Sequence, residues 1–117
     1  MYNAAVAMQT AGGDSAAELL YLKIIAVNPG YSRACNNLGA IYAARGQLRD
    51  AEKYYKQAIE KEHGFVEAYA NLVGVYIAQR DFRQARRWLQ KGMMHNPDNE
   101  LLMQTKNSLK AAMGESP

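Results

Sequence analysis

Residues 37–60, NLGAIYAARGQLRDAEKYYKQAIE, and residues 71–94, NLVGVYIAQRDFRQARRWLQKGMM, are the two stretches whose comparison decides the fold. A shift of 34 residues lays Asn37 on Asn71, Leu38 on Leu72, Tyr42 on Tyr76, Ala44 on Ala78, Arg49 on Arg83 and Ala51 on Ala85. The same shift lays the N-terminal part on the first stretch: Asn3 on Asn37, Gly12 on Gly46, Ala17 on Ala51, Glu18 on Glu52, Tyr21 on Tyr55 and Gly30 on Gly64. Pro29 and Pro97 stand two periods apart. A fixed period of this size is the mark of a repeat array, in which each unit buries its apolar face against a neighbour.

Each period reads as two helices. Ala34, Leu38, Ile41 and Tyr42 recur at intervals of one to four residues, which places them along one face of a helix over 34–44. Gly46 breaks that helix, and a second starts at Asp50 or just before it, with Ala51, Tyr54, Tyr55, Ala58 and Ile59 as its apolar stripe. The third period repeats the pattern with Tyr69, Leu72, Val75 and Tyr76, then Phe82, Ala85, Trp88 and Leu89. In the first period the break is Ala11-Gly12-Gly13, and Asp14 or Ser15 is the expected N-cap of a helix over 16–27. After Pro97 a last helix is expected to start near Asp98, with Leu101, Leu102, Leu109 and Met113 apolar. No stretch shows the strict alternation of a half-buried strand.

Asn37-Leu38-Gly39-x-x-Tyr42 followed by Ala51-x-x-x-Tyr55-x-x-Ala58 resembles the tetratricopeptide repeat. So does Tyr69-x-x-Leu72…Tyr76 followed by Ala85-x-x-x-Leu89 and Pro97. The resemblance implies an all-α fold, an α-solenoid of antiparallel helix pairs. Its expected layout is a partial repeat over 1–31, repeats over 32–65 and 66–99, a capping helix over 100–113 and a tail over 114–117. Three departures stand out: Val73 replaces the glycine, Gly92 replaces an alanine, and Ala4-Ala5 stand where Leu-Gly belongs. A fourth repeat would want Leu, Gly and Tyr where Lys106, Asn107 and Lys110 occur, so the last helix reads as a polar-backed cap. The first copy is the weakest, which fits a chain cut from something longer.

Composition narrows the chemistry. The chain has 117 residues, 49% hydrophobic and 21% charged, as expected of a folded protein and not a disordered one. Its longest apolar run, Leu19 to Val27, is interrupted by Lys23 and is too short to cross a membrane. A single cysteine, Cys35, excludes an internal disulfide, and in a large apolar position of the repeat it reads as a buried, inert thiol. The net charge of +3 comes from one place. Arg80, Arg83, Arg86, Arg87 and Lys91 against Asp81 carry +4, leaving −1 elsewhere. Without interleaved exposed aromatics this is a solvated helix face, and nucleic acid is not the expected partner. A lone cysteine and a start without a basic segment point to a cytoplasmic protein. No nucleophile–base pair or glycine-rich phosphate loop points to catalysis, no cofactor is implied, and Glu60, Glu62 and His63 read as helix-end residues and not metal ligands.

The expected function is therefore a protein–protein interaction module holding an extended peptide or a partner helix in a concave groove. The resemblance carries the groove onto Asn3, Arg33, Asn36, Asn37, Ala40, Glu67, Asn71 and Gly74, with Leu101 and Gln104 from the capping helix and Tyr2, Val6, Ala44, Ala70, Ala78, Thr105 and Ser108 beside them. Asn3, Asn37 and Asn71 recur at one offset, and an amide that both donates and accepts can pair with any peptide backbone, the alternative being that each caps or bridges neighbouring helices within the solenoid. The recurrence is similar to the asparagine ladder of O-linked N-acetylglucosamine transferase. Glu67 and Asn71 stand where a co-chaperone of the family would present cations, so binding of an acidic chain terminus is not expected. Leu19 and Leu22, at outward positions that hold Lys53 and Lys56 one period later, are expected to mediate self-association. Two alternatives share the fold: a substrate-recruiting region of a larger enzyme, and a small secretion or pilus-assembly chaperone.

Overall fold

The loops show first how the sequence sets its elements. Gly46 has φ +78°, and its N–H donates to Ala43 O while Gln47 N–H donates to Tyr42 O at 2.9 Å. This paired closure ends a helix at a left-handed residue, the conformation glycine adopts without penalty. One period later Arg80 N–H donates to Ile77 O and Asp81 N–H to Tyr76 O, so the same turn forms around Arg80 at φ 58°. Arg80→Gly is expected to raise the midpoint of thermal unfolding, the stabilisation being about 1 kcal/mol. Calorimetry reads it; an unchanged or lower midpoint contradicts it.

The computed structural model describes residues 2–10 and 14–114, and every regular element among them is an α-helix. They are α1 (Tyr2–Thr10), α2 (Asp14–Val27), α3 (Ser32–Ala44), α4 (Leu48–Lys61), α5 (Val66–Ala78), α6 (Phe82–His95) and α7 (Glu100–Ala112). The expected break at residues 11–13 lies outside the described residues. Asp14 and Ser15 belong to the first turn of α2 and do not precede it, so neither is its N-cap. Asp14 there complements the helix dipole. α7 starts at Glu100, two residues beyond Asp98, where Asn99 accepts from Leu102 N–H at 3.1 Å. α6 is capped by Asp81, which accepts from Gln84 N–H. The turn between periods recurs three times with one hydrogen bond: Tyr31 N–H to Asn28 O, Phe65 N–H to Glu62 O, and Asn99 N–H to Asn96 O. Pro29 and Pro97 occupy its second position, where their fixed φ belongs.

The chain divides into two compact units, residues 1–61 and 62–117. In the first, α1 packs on α2, α2 on α3 and α3 on α4. Its core holds Ala5, Ala17, Tyr21, Ile24, Ala34, Leu38 and Ile41, with Tyr2, Val6, Leu22, Tyr42 and Tyr54 packed against it. In the second, α5 packs on α6 and α7, and α6 on α7. Ala68, Tyr69, Leu72, Val73, Val75, Tyr76, Ala85, Leu89, Leu102 and Leu109 are buried there. The three-residue loops 45–47 and 79–81 force the helices they join to run antiparallel.

Two glycines set how closely the pairs approach. A Cβ on Gly39 would lie 2.7 Å from the Tyr55 ring, and one on Gly92 would lie 2.9 Å from Cγ of Tyr69. The departures from the repeat pattern thereby acquire a physical reason. Where α3 and α4 pair Gly39 with Tyr55, α5 and α6 carry buried Val73 and Leu89 at the equivalent places. Where the first unit has Cys35 and Ala58, the second has Tyr69 and Gly92. Volume lost on one helix is regained on its partner, as close packing demands.

Candidate peptide-binding face

On α5 the residues Glu67, Asn71, Gly74 and Ala78 follow one another at intervals of three or four, so they share a face. Glu67, Gly74 and Ala78 are exposed, Ala70 and Asn71 half-buried, and a Cβ added at Gly74 would meet open space. The residues on the other side of α5, Ala68, Leu72, Val75 and Tyr76, are buried. α3 presents the equivalent face with Arg33 and Ala44 exposed, Asn37 and Ala40 half-buried and Asn36 buried. Small side chains on these faces leave room for a ligand backbone to approach. On α1, Asn3 is exposed and Tyr2 and Val6 are half-buried. On α7, Leu101 and Gln104 are exposed, whereas Thr105 is buried and its hydroxyl donates to Leu101 O at 2.8 Å. The Ser108 hydroxyl likewise turns back to Gln104 O.

Asn37 is tied into the first unit in a way its periodicity did not reveal. Its amide nitrogen donates to Tyr2 Oη at 2.9 Å and to Tyr21 Oη at 3.1 Å. Tyr2 in turn stacks on Tyr31, with ring centroids 5.1 Å apart. Burial raises the Tyr21 pKa, against the lowering effect of the Asn37 hydrogen bond. The side-chain amide is thus held in a fixed orientation with its hydrogens turned to the tyrosines. The signal in the sequence was the pairing of Asn37 with tyrosines on two other helices, which no spacing rule connects.

A second polar cluster anchors α2 to α3. Arg45 donates to Glu18 Oε1 at 2.6 Å, and the Tyr42 hydroxyl donates to Glu18 Oε2 at 2.7 Å. These two hydrogen bonds, the guanidinium first, hold the Glu18 carboxyl below its usual range. Burial and the neighbouring carboxylate push the Tyr42 phenol up to about 12. Cys35 is buried, and desolvation raises its thiol pKa, which keeps it protonated at neutral pH.

Of the two leucines expected to mediate self-association, Leu19 is 54% exposed while Leu22 packs against the first unit's core. Leu22 therefore has an intramolecular use. On the basic helix, Lys91 lies over the Trp88 ring at 4.4 Å and Arg80 over the Phe82 ring at 5.1 Å. No cluster of three or more histidine, cysteine or carboxylate side chains that could hold a metal occurs among the described residues, and none of their helices is long and apolar enough to cross a membrane.

Paired helices that repeat with a fixed period, joined by identical turns, define an all-α repeat protein of the α-solenoid class. The sequence matches the tetratricopeptide repeat family over residues 42–112 and again over 20–53, and the chain belongs to that family. No curated protein sequence matches it. Solved structures similar to it include the second such domain of human RPAP3 in complex with an HSP70 peptide, SGPTIEEVD (18% identity, 92% of this chain and 90% of that one, TM-score 0.82). The domain of Sgt2 from Aspergillus fumigatus (18%, 99% and 82%, 0.85) and that of yeast Sti1 in a complex with Hsp70 (20%, 94% and 90%, 0.84) are others. At these identities the likeness concerns the fold.

Proposed function

We propose that the chain is a non-enzymatic, cytoplasmic interaction module that binds an extended peptide, or a helix, of another protein on the small, polar face that α5 presents in the second unit, with α3 presenting the equivalent face in the first. The single observation that carries this reading is the α5 face of Glu67, Gly74 and Ala78, exposed on a helix whose opposite side is buried. Asn37, whose amide hydrogens go to Tyr2 and Tyr21, offers its amide oxygen as an acceptor for a peptide N–H on the α3 face, and Asn71 stands at the same offset on the α5 face. Arg33, Asn36, Ala40, Leu101 and Gln104 complete the contact set, and Asn3 extends it onto α1. That relatives with this fold are found with chaperone peptides supports the class of ligand and not its identity.

The test is a selection of binders from a random peptide library against the full chain. Gly74→Leu combined with Ala78→Leu fills the α5 face and is expected to weaken the selected peptides at least about tenfold, that is by about 1.4 kcal/mol. Circular dichroism should show the helices intact. Leu19→Glu, on α2, serves as the control and is expected to leave peptide affinity unchanged. Light scattering on the same variant reads self-association through Leu19, which should be lost. Peptides whose binding ignores the filled face would overturn the reading. The acidic peptide SRMEEVD is expected to bind no tighter than the millimolar range, because Glu67 repels its carboxylates; micromolar affinity would show that the local charge does not govern recognition.

A further inference from the structure

Between α6 and α7 runs a groove of about 230 Å³ whose floor is apolar and whose rim is cationic. Leu89, Met93, Leu109 and Met113 line it with Gln90, and Arg86, Lys106 and Lys110 border it. Among the described residues none of those lining it is a carboxylate. The Arg86 guanidinium lies against Met113 Sδ at 3.6 Å, which holds one of the cations at the groove's edge.

The first unit shows what such a surface is made to receive. Two periods earlier, Lys106, Leu109 and Lys110 correspond to Leu38, Ile41 and Tyr42 on α3. A helix of the same chain lies over Tyr42 and against the core cluster to which Leu38 and Ile41 belong. α4 packs along α3, lays Tyr54 on the core cluster and on the Tyr42 ring at 5.6 Å, and donates from Gln57 to Pro29 O. At α7 the leucine and the tyrosine have become lysines while the intervening apolar residue remains. A helix with an apolar stripe still fits the floor, but its flanks now face positive charge.

We propose that the α6–α7 groove docks an amphipathic helix of a partner protein whose apolar stripe is bordered by glutamate or aspartate. The stripe fills the space between Met93, Leu109 and Met113, and the flanking carboxylates pair with Lys106 and Lys110. The substitution of Lys106 and Lys110 into an otherwise repeated pattern selects this partner against a basic or neutral helix, because an unpaired cation facing a cation or an apolar surface disfavours the wrong complex. This surface is separate from the α3 and α5 faces and does not depend on their reading.

The probe is the chain's own groove-filling helix with its charge inverted. It is a peptide of residues 48–61 stapled into a helix, with Lys53→Glu and Lys56→Glu. The control carries Glu52→Lys and Glu60→Lys. Titrated into the intact labelled protein, the acidic peptide is expected to bind in the micromolar range. It should shift the amide resonances of 86–93 and 106–113 and weaken at least about tenfold on raising salt to 0.5 M. Lys106→Glu with Lys110→Glu should lower its affinity at least about tenfold and raise that of the basic peptide; Lys106 is exposed and Lys110 half-buried, and circular dichroism of the variant checks that the helices are retained. Equal binding of the two peptides, shifts confined to α3 and α5, or affinity unchanged in the lysine variant would each overturn the proposal. So would a dimer in light scattering that Lys106→Glu dissociates, which would give the groove to a second copy.

Discussion

Gly92→Ala is expected to destabilise the protein by about 2 kcal/mol, although alanine is ordinarily the better helix residue. The helix-propensity gain is about 1 kcal/mol. Against it stands a methyl group 2.9 Å from Cγ and 3.1 Å from Cβ of Tyr69, atoms next to the backbone that no ring rotation moves aside. Tyr69 is buried, so relief requires α5 and α6 to separate. Separation in turn loosens contacts along the whole pair. The first unit supplies the rescue: its equivalent pair is Cys35 with Ala58. Tyr69→Cys alone leaves a cavity and costs several kcal/mol. Combined with Gly92→Ala it should be less destabilising than the sum of the two by more than about 1 kcal/mol. Denaturant unfolding of the four proteins of this cycle measures the coupling. Additive effects would show that the two positions do not share one space.

Alkaline titration is expected to produce the second large effect. Burial lifts the Tyr55 phenol from its ordinary 10.0 to about 12, and Tyr42 rises as far from burial and the Glu18 carboxylate. A folded-state pKa above the unfolded value means that the fold holds its proton more tightly. The contribution to stability is therefore complete below pH 10 and is lost as the pH rises to about 12. For Tyr55, which is 3% exposed and lies against Gly39, the gap corresponds to about 3 kcal/mol. Unfolding by denaturant at stepped pH, followed beside tyrosinate absorbance, should show stability falling over that window. Tyr55→Phe should flatten the fall. A flat profile from pH 10 to 12 in the unaltered protein would contradict it. At the acid end Glu18 acts in the opposite sense: its lowered pKa gives stability that is present above 4.5 and fades as the pH drops through the folded-state value.

The Tyr42–Glu18–Arg45 cluster and the Gly92–Tyr69 contact show where sequence reading stops. Glu18 matched Glu52 in the period, yet it was its place opposite Tyr42 and Arg45 that gave it a role. Gly92 registered as a departure, and only the ring of Tyr69 explained it. That residues 67, 71, 74 and 78 share one face follows from helical geometry once the helix is known, whereas their place in a groove was an implication of the resemblance. Leu22 is half-buried against the first unit's core, a contact its outward position in the repeat did not show, since that position says nothing of how far a neighbouring helix extends over it.

The sequence by itself determined the period, the helix pairs, the turns at Pro29 and Pro97 and the family, because all of these follow from spacing along one dimension. Tertiary structure alone decided that Asn37 is held by Tyr2 and Tyr21, that large and small residues exchange places between partner helices, and that Lys106 and Lys110 rim an apolar groove. These depend on distances between helices, and such distances are set by the volumes of side chains many residues apart, which no local pattern records.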